Sequence, residues 1–158
     1  MEIEICKAEQ SDVAGIAEIV RELGWFADIT AETPADTQTN ITNELRLCQA
    51  DDSHSLFVAR AADEGVLGYV AVHWVPYLLH RGPDGYISEL FIRESARGRG
   101  IGARLLETVE AEAIRRGCKR LMLLNMRQRE SYKRSFYSKH GWEERPQAAT
   151  FMKKIGND

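Results

Sequence analysis

The sequence has few of the residues that mark an oxidised compartment or a membrane. Its three cysteines, Cys6, Cys48 and Cys118, lie far apart without CxxC spacing, and an odd count argues against a disulfide framework. No apolar run approaches the roughly 20 residues of a membrane helix, and no charged-then-apolar leader opens the chain. We therefore expect a cytoplasmic protein with no membrane partner.

Signs of metal or nucleic-acid binding are also scarce. The four histidines show no HxxxH or HxH spacing, so no metal site is expected. A net charge of −3 and a pI of about 5.9 argue against nucleic acid as a partner. With 158 residues, of which 44% are hydrophobic and 28% charged, the chain can bury one core but not two. This predicts a single domain over residues 1–158.

Hydrophobic spacing predicts a mixed order of strands and helices. The first half of the chain is predicted to contain a strand at Glu2–Lys7, a helix from Ser11 or Asp12 to Leu23, an irregular polar stretch at Gly24–Pro34 and a helix at Ala35–Ala50. Three strands follow, at Leu56–Ala61, Val66–Val75 and Gly85–Ile92, and the first two flank a turn at Ala62–Gly65. The remaining elements are a helix from Ile101 to Gly117, a buried strand at Leu121–Leu124, a helix at Ser131–Lys139 and a closing hairpin of Trp142–Arg145 with Thr150–Ile155. Such an order predicts an α/β or α+β sandwich around one mixed sheet.

The most informative segment is ISELFIRESARGRGIG, residues 87–102. It reads as a strand, a glycine-rich turn and the start of an amphipathic helix. Glycines at 98, 100 and 102 remove side chains where backbone N–H groups at the helix start can converge on one anion. Arg97 and Arg99 add positive charge, and the arginine fork suits phosphate oxygens. The segment therefore predicts a ligand that carries a diphosphate.

Known diphosphate-binding patterns can be ranked against this turn. A P-loop requires GxxxxGK followed by Ser or Thr, and the chain has no such string. A Rossmann fingerprint requires GxGxxG, whereas the third glycine here is Gly102 and position 103 is Ala103. Neither pattern fits.

The string Arg97-x-x-Gly100-x-Gly102 after a strand resembles the acetyl-coenzyme A (acetyl-CoA) signature of the GNAT family of N-acetyltransferases. Residues 136–142, FYSKHGW, resemble that family's late helix, which ends in Tyr-x-x-x-Gly and an aromatic residue. The opening residues 3–12 and the helix pattern after them are similar to its first strand and helix. The resemblance thus runs along the whole chain and is densest from Ile87 to Trp142.

The resemblance implies a GNAT fold, in which two neighbouring central strands splay apart at a bulge and the pantetheine arm lies between them. It implies acetyl-CoA as the acetyl donor, and homodimers are common in the family. The cofactor contacts it suggests are Leu90, Phe91, Ile92, Arg97, Gly98, Arg99, Gly100, Ile101, Gly102, Asn125, Arg129 and Lys133. For Arg129 and Lys133 the alternative is a solvated basic helix face.

The resemblance also implies catalytic residues. Acetyl transfer needs an amine that has lost its proton, and Glu89 is the first candidate base, with a structural ion pair as the alternative. Strand alternation predicts that Glu89 shares a face with Ile87 and Phe91. Several family members carry the acid one position earlier, where this chain has Ser88. The Leu90 N–H is the expected donor to the reacting carbonyl oxygen. Tyr137 matches the family's general acid, and the alternative for its ring is a core position.

The acceptor is expected to be a small molecule or peptide with a cationic amine. Between residues 24 and 52 there are six acidic residues and one basic residue, in a region that walls the acceptor pocket in this family. Substrate contacts are predicted at Trp25, Phe26, Asp28, Trp74 and Tyr77, although some of these aromatic residues can equally belong to the core. The sequence thus favours an N-acetyltransferase, and the alternative is a non-catalytic CoA-binding sensor or regulatory module.

Overall fold

The structure is a computed structural model that describes residues 2–156. These residues form two compact units, 2–124 and 125–156. The first unit contains β1 (Ile3–Lys7), α1 (Val13–Glu22), α2 (Ala27–Ala31), α3 (Pro34–Cys48), β2 (His54–Ala61), β3 (Gly65–Pro76), β4 (Pro83–Ile92), α4 (Ile101–Arg115) and β5 (Leu121–Leu123). The second contains α5 (Glu130–Lys133) and α6 (Phe136–Lys139).

The described strands form one mixed sheet in the order β1-β2-β3-β4-β5. Neighbouring strands are antiparallel except β4 and β5, which are parallel and joined through α4. Between β2 and β3, the predicted turn at Ala62–Gly65 is present, and the Glu64 N–H donates to the Ala61 carbonyl at 3.2 Å. The predicted α/β class with a mixed central sheet is confirmed.

Helices α1 and α3 cover one face of the sheet. Successive side chains along β3 point to opposite faces, and Tyr69 lies in a core that includes Ile16 and Ile19 of α1 and Leu45 of α3. Because Tyr69 lies on this face, every odd-numbered β3 side chain from Tyr69 onwards also points to it. Helix α3 begins with a capping box, in which the Thr33 hydroxyl accepts from the Asp36 N–H at 3.2 Å and Asp36 accepts from the Thr33 N–H.

Helix α4 packs on β2, β3 and β4. Its buried stripe consists of Ile101, Leu105, Leu106, Val109 and Ala113, close to the predicted spacing. Ile114 lies outside this stripe and is 80% exposed. The helix ends in a Schellman motif as expected of Gly117, whose φ is +67°. The Gly117 N–H donates to Ile114 at 3.0 Å and the Cys118 N–H to Ala113 at 2.9 Å.

The predicted irregular stretch at 24–34 contains the short helix α2. Arg21 of α1 stabilises it, because its Nη1 donates to the carbonyls of Ile29 and Glu32 at 3.0 and 2.9 Å. A single arginine that caps two carbonyls of a neighbouring helix leaves no periodic signal in the sequence. The expectation of an irregular stretch was wrong here for that reason.

The second unit departs further from the predicted elements. The expected helix at 131–139 is interrupted at Ser135, whose φ of +56° lies in the left-handed region. The expected hairpin of Trp142–Arg145 with Thr150–Ile155 is absent, and residues 142–155 contain no strand. Phe151 and Met152 are adjacent and two lysines follow, so no alternating face exists to bury.

Candidate functional site

The glycine turn between β4 and α4 has the backbone that its sequence predicts. Gly98 and Gly100 have φ values of +76° and +74°, in the left-handed region that favours glycine. Gly100 is the N-cap of α4. An added Cβ at either glycine would meet no described atom within 4 Å. The turn is therefore open on the side where a ligand can approach the backbone.

Backbone N–H groups converge at this turn. The Arg104 N–H donates to the Gly100 carbonyl at 3.2 Å as the first bond of the helix ladder. The preceding N–H groups, those of Ile101, Gly102 and Ala103, lie in the first helical turn, where no intrahelical acceptor exists. They carry the positive end of a 15-residue helix dipole. This geometry suits an anionic group such as a phosphate.

The two arginines of the turn differ in their surroundings. Arg97 is 54% exposed and lies 3.8 Å from Glu94. Arg99 makes a bidentate pair with Glu64 of the β2–β3 turn, at 3.0 and 3.1 Å, and this hydrogen bond lowers the pKa of Glu64. Arg97 is thus the arginine more accessible to a phosphate, while Arg99 would have to exchange its carboxylate partner for one.

Strand β4 extends past the end of its pairing with β5. Among the described residues that pairing ends at Ile87 and Leu123, where β5 also ends, whereas β4 continues to Ile92. The side of β4 that faces β5 therefore has no strand partner after Ile87, which leaves main-chain N–H and C=O groups for a ligand. We call this uncovered side of β4 the gap; the splay of two strands that the resemblance implies stays a prediction.

A β-bulge in β4 decides which groups face the gap. Its β3 partners are Ala71 for Glu89 and Val72 for Ile87, so Ser88 is the extra residue. The Gly85 N–H donates towards β5, to Arg120 O at 3.0 Å, whereas the Arg93 N–H donates towards β3, to Leu67 O at 2.8 Å. In a regular strand, the N–H groups of two residues separated by an even number of positions point to the same side. Those of Gly85 and Arg93 point to opposite sides, so one extra residue lies between them.

Counting back from Arg93, the main-chain groups of Ile92 and Leu90 face the gap beside β5, and those of Phe91 face β3. Leu90 and Ile92 are the two residues expected to contact pantetheine through their backbone. Phe91, also predicted near the cofactor, packs its ring against Tyr69 at 5.8 Å between centroids, so it lies on the face of α1 and α3.

The bulge also corrects the predicted orientation of Glu89. Regular alternation puts Glu89 on one face with both Ile87 and Phe91, but Ile87 is buried opposite Val72 while Glu89 lies opposite Ala71. Glu89 therefore shares a face with Phe91 and not with Ile87. Its Oε2 accepts a hydrogen bond of 2.6 Å from the Tyr69 hydroxyl. Burial and this carboxylate raise the pKa of Tyr69 well above its usual range, so Tyr69 stays a donor.

Ser88 and Glu89 project to the same face. The Ser88 hydroxyl lies 2.7 Å from Nε2 of His73, and His73 and Tyr69 are four residues apart on β3 and so share a face. Tyr69, His73 and Ser88 were not predicted as site residues. Counting outwards from the Ala62–Gly65 turn would have paired His54 with Val72, because the register shift between Ala59 and Arg60 that brings His73 opposite His54 has no sequence signal. The bulge that aims Ser88 at His73 has none either.

The predicted substrate residues do not gather at one place. Trp25 is 43% exposed and lies edge-on to Phe91 at 5.5 Å, on the face of the sheet that also carries Glu89. Phe26 and Asp28 follow at the start of α2. Trp74 is instead a core residue on the α4 face: it is 5% exposed, donates to the Ser55 hydroxyl at 2.9 Å and lies under the Arg116 guanidinium. Its predicted substrate role was wrong because even and odd β3 residues face different sides.

Tyr77 follows the far end of β3, beyond the Pro76–Pro83 pair. Its ring contacts His80 at 5.4 Å and lies under Arg120 at 5.9 Å. Tyr69 and Pro76 are seven residues apart on one strand, about 23 Å at 3.3 Å per residue. Tyr77 therefore lies at the opposite end of the β3–β4 hairpin from Trp25.

In the second unit, Tyr137 lies at the start of a Schellman motif. The Trp142 N–H donates to its carbonyl at 3.1 Å, the Gly141 N–H donates to Ser138 at 3.2 Å, and Gly141 has a φ of +81°. The spacing of the tyrosine, the glycine and the aromatic residue thus matches the positions that a Schellman cap of α6 requires. The half-buried Tyr137 ring packs near Trp142 at 6.0 Å. Burial raises the pKa of Tyr137, with Arg134 opposing, so the phenol is protonated at neutral pH.

The remaining predicted cofactor contacts belong to the same unit. The Asn125 side-chain oxygen accepts from the Ser131 hydroxyl at 2.9 Å, and Lys133 pairs with Glu130 at 2.9 Å on an exposed surface. Arg129 is the N-cap of α5. Within residues 2–156, no group of three or more His, Cys, Asp or Glu side chains is arranged to hold a metal ion. The described helices include none with the length and apolar character of a membrane span.

Comparison with known proteins finds a matching family model, related sequences and solved structures with the same fold. The acetyltransferase (GNAT) family model matches residues 19–142. A thialysine N-epsilon-acetyltransferase of Bos taurus is 25% identical over 129 residues, which cover 75% of this chain and 72% of that protein. Solved structures with this fold include a transcriptional regulator of Bacillus halodurans C-125, with a TM-score of 0.82, 21% identity and coverage of 98% of this chain and 100% of the other. A putative acetyl transferase of Pyrococcus furiosus has a TM-score of 0.69, 23% identity and the same coverage.

Proposed function

Because the chain belongs to the acetyltransferase (GNAT) family, we propose that it moves an acetyl group from acetyl-CoA to a primary amine by direct attack within a ternary complex. Its enzyme class, N-acetyltransferase, follows from the family. The donor, the mechanism and the acceptor are proposals, and the observations that support each are given in turn.

The arrangement of β4, the turn and α4 carries the proposal for the donor. Acetyl-CoA consists of a diphosphate and an extended amide-containing arm that ends in a thioester. The turn at Gly98–Gly102 offers N–H groups for the former, and the gap beside β4 offers the main chain of Leu90 and Ile92 for the latter. Arg97 is the proposed phosphate contact in the turn, with Arg99 as a second. Asn125, Arg129 and Lys133 are proposed as cofactor contacts on the family resemblance.

Three groups are proposed to act on the reacting atoms. Glu89 attracts the ammonium group of the acceptor and is a candidate to take its proton. The Leu90 N–H donates to the thioester carbonyl oxygen as negative charge develops there. Tyr137 protonates the departing sulfur, since its pKa is raised and the phenol keeps its proton at neutral pH.

The acceptor is proposed to be a cationic amine at the end of a flexible chain. Burial raises the pKa of Cys48, and the negative charges of Glu44 and Glu89 raise it further. The end of α3 and the bulge therefore share a negative potential, which favours a cation. Trp25 and Phe91 supply an aromatic wall at the same face. Polyamines, aminoglycosides, lysine side chains and the thialysine amine named for the curated relatives meet this description.

The test is to titrate acetyl-CoA into the protein by calorimetry and then to follow release of free thiol across a panel of these amines and basic peptides. Binding together with amine-dependent thiol release, and an acetylated product by mass spectrometry, is the expected result. The amine with the highest kcat/KM names the acceptor class.

Two other outcomes contradict parts of the proposal. Binding of acetyl-CoA without thiol release for any amine would favour the CoA-binding sensor. No binding would contradict the donor as well as the reaction. A Leu78→Ala variant serves as a surface control, because Leu78 is fully exposed and lies outside the proposed site.

A further inference from the structure

A polar pair at the bulge is not used by the proposed roles above. His73 of β3 and Ser88 of β4 are joined by a contact of 2.7 Å between Nε2 and Oγ. Ser88 is exposed, whereas His73 is half-buried. Ser88 is next to Glu89 in the chain and on the same face, so a hydroxyl with an imidazole behind it faces the space where the acceptor's ammonium group is proposed to lie.

Charged and titratable groups surround His73 on three elements. His54 of β2 stacks edge-on to it at 4.6 Å, and the His54 Nδ1 lies 2.7 Å from the Ser53 hydroxyl. Glu89 and Tyr86 are its neighbours on β4, and Tyr86 lies 6.3 Å away. Burial lowers the pKa of His73 and His54 lowers it further, while Glu89 opposes them. His73 is therefore neutral at pH 7 and has a lone pair to accept a proton.

We infer that Ser88 and His73 form the route by which the acceptor's ammonium proton leaves, with Glu89 as the counter-charge that binds the ammonium; this rests on the proposed function. One N–H proton of the ammonium moves to Ser88 Oγ as the Ser88 hydroxyl proton moves to Nε2 of His73, which carries its other proton on Nδ1. The nitrogen lone pair that this step frees forms the new N–C bond. The imidazolium then returns its proton to water.

Chemistry favours His73 over Glu89 as the proton acceptor. A general base works best when its pKa is near the operating pH, and an imidazole is in general a stronger base than a carboxylate. The Oε2 atom of Glu89 is already engaged by the Tyr69 hydroxyl at 2.6 Å. The negative charge of Glu89 stabilises both the bound ammonium and the imidazolium that follows. Ser88 thus stands where several family members have a carboxylate, and His73 supplies the base behind it.

The test compares His73→Gln, Ser88→Ala and Glu89→Gln, with His80→Gln as the matched histidine control. His80 is also half-buried but lies in the β3–β4 loop, where Gln can still donate to Asp84. At pH 7 we expect kcat of His73→Gln to fall about 100-fold with unchanged acetyl-CoA affinity. Ser88→Ala should show a smaller fall in kcat, Glu89→Gln a raised KM for the amine, and His80→Gln no change.

A chemically matched acceptor separates proton removal from positioning. The β,β-difluorinated analogue of the acceptor found in the panel has a much less basic amine, so a substantial fraction of it is already neutral at pH 7 and needs no base. It should restore His73→Gln to within about threefold of the wild type. With the ordinary acceptor, kcat of this variant should rise about tenfold per pH unit, as neutral amine becomes available, while wild-type kcat falls only below the His73 pKa, on the acid side of about 6.5.

A readout independent of turnover is the NMR titration of the His73 ring. In the free protein its apparent pKa should lie below the ordinary value and should change in Ser88→Ala but not in His80→Gln. The inference is overturned if His73→Gln keeps wild-type kcat, if the fluorinated acceptor fails to restore it, or if Glu89→Gln is the variant that the fluorinated acceptor rescues. Absence of amine-dependent thiol release in the wild type would instead contradict the proposed function, and this inference with it.

Discussion

Gly100 shows how one residue can serve the fold and the ligand separately. Its φ of +74° costs any other residue about 1 kcal/mol, and a side chain would stand where the ligand approaches. Gly100→Ala should therefore lose stability and bind acetyl-CoA at least tenfold more weakly by calorimetry. Gly117 at the other end of α4 has a φ of +67° and similar open space. Gly117→Ala should lose comparable stability and keep its affinity. Equal affinities in the two variants would contradict the phosphate site at Gly100.

Tyr137 can be tested without disturbing its packing. Tyr137→Phe keeps the ring near Trp142 and removes the proton, so kcat should fall about 100-fold with little change in acetyl-CoA affinity. A raised pKa means that the acid stays protonated until the pH exceeds the ordinary value of about 10. Wild-type kcat should thus show no tyrosine-dependent decline below pH 10. If kcat of the variant matched the wild type over that range, Tyr137 would not be the acid.

At the scale of elements, Glu112 holds the C-terminal end of α4. Its carboxylate accepts from Arg115 at 2.8 Å and from Arg116 at 2.7 Å, and Arg116 also pairs with Asp52. These bonds, with Arg115 first, lower the pKa of Glu112 from 4.5 to about 2. A depressed carboxyl pKa adds stability that is present above the unfolded value and lost as the pH falls towards 2.

Glu112→Gln should therefore lower the free energy of unfolding by about 1–3 kcal/mol at pH 7, measured by urea denaturation. The difference from the wild type should shrink as the pH falls from 4.5 to 2. Glu107→Gln is the control, because Glu107 lies on the same helix but is exposed. A deficit that is the same at pH 7 and pH 3 would show that Glu112 acts through packing and not through its charge.

The sequence predicts which side chains are buried where a helix or strand is regular and has one buried face. It does not predict side-chain directions where a bulge or a helix break changes them. The stripe of α4 and the glycine turn before it follow from period and composition. The extra residue at Ser88 has no signature, yet it moves Glu89 to the opposite face from Ile87 and turns the Leu90 main chain towards the gap. The interruption of the helix at Ser135 likewise has no sequence signature. Side-chain directions at the site therefore required the structure.

At the scale of the whole molecule, family and architecture were readable from a few ordered motifs, whereas the acceptor site was not. The six acids between residues 24 and 52 suggested a cationic acceptor, but several of them have structural partners. Asp52 pairs with Arg116, Asp36 caps α3, and Glu32 accepts from Thr37. Net negative composition thus overstates the charge available to a substrate. The electrostatic potential near the bulge depends instead on Glu44 and Glu89, whose negative charges raise the pKa of Cys48.

This remaining field can be measured through salt. An exposed charge pair is screened over a Debye length of roughly 10 Å at 0.1 M salt, and less at higher salt. For a diamine acceptor, kcat/KM should fall about three- to tenfold between about 0.05 and 0.5 M NaCl, because its second charge is attracted by these carboxylates. A monoamine of equal length should fall less, and Glu44→Gln should reduce the difference between the two acceptors. If both amines respond equally to salt in the wild type, the pocket does not select by charge, and its aromatic wall at Trp25 and Phe91 becomes the better basis for specificity.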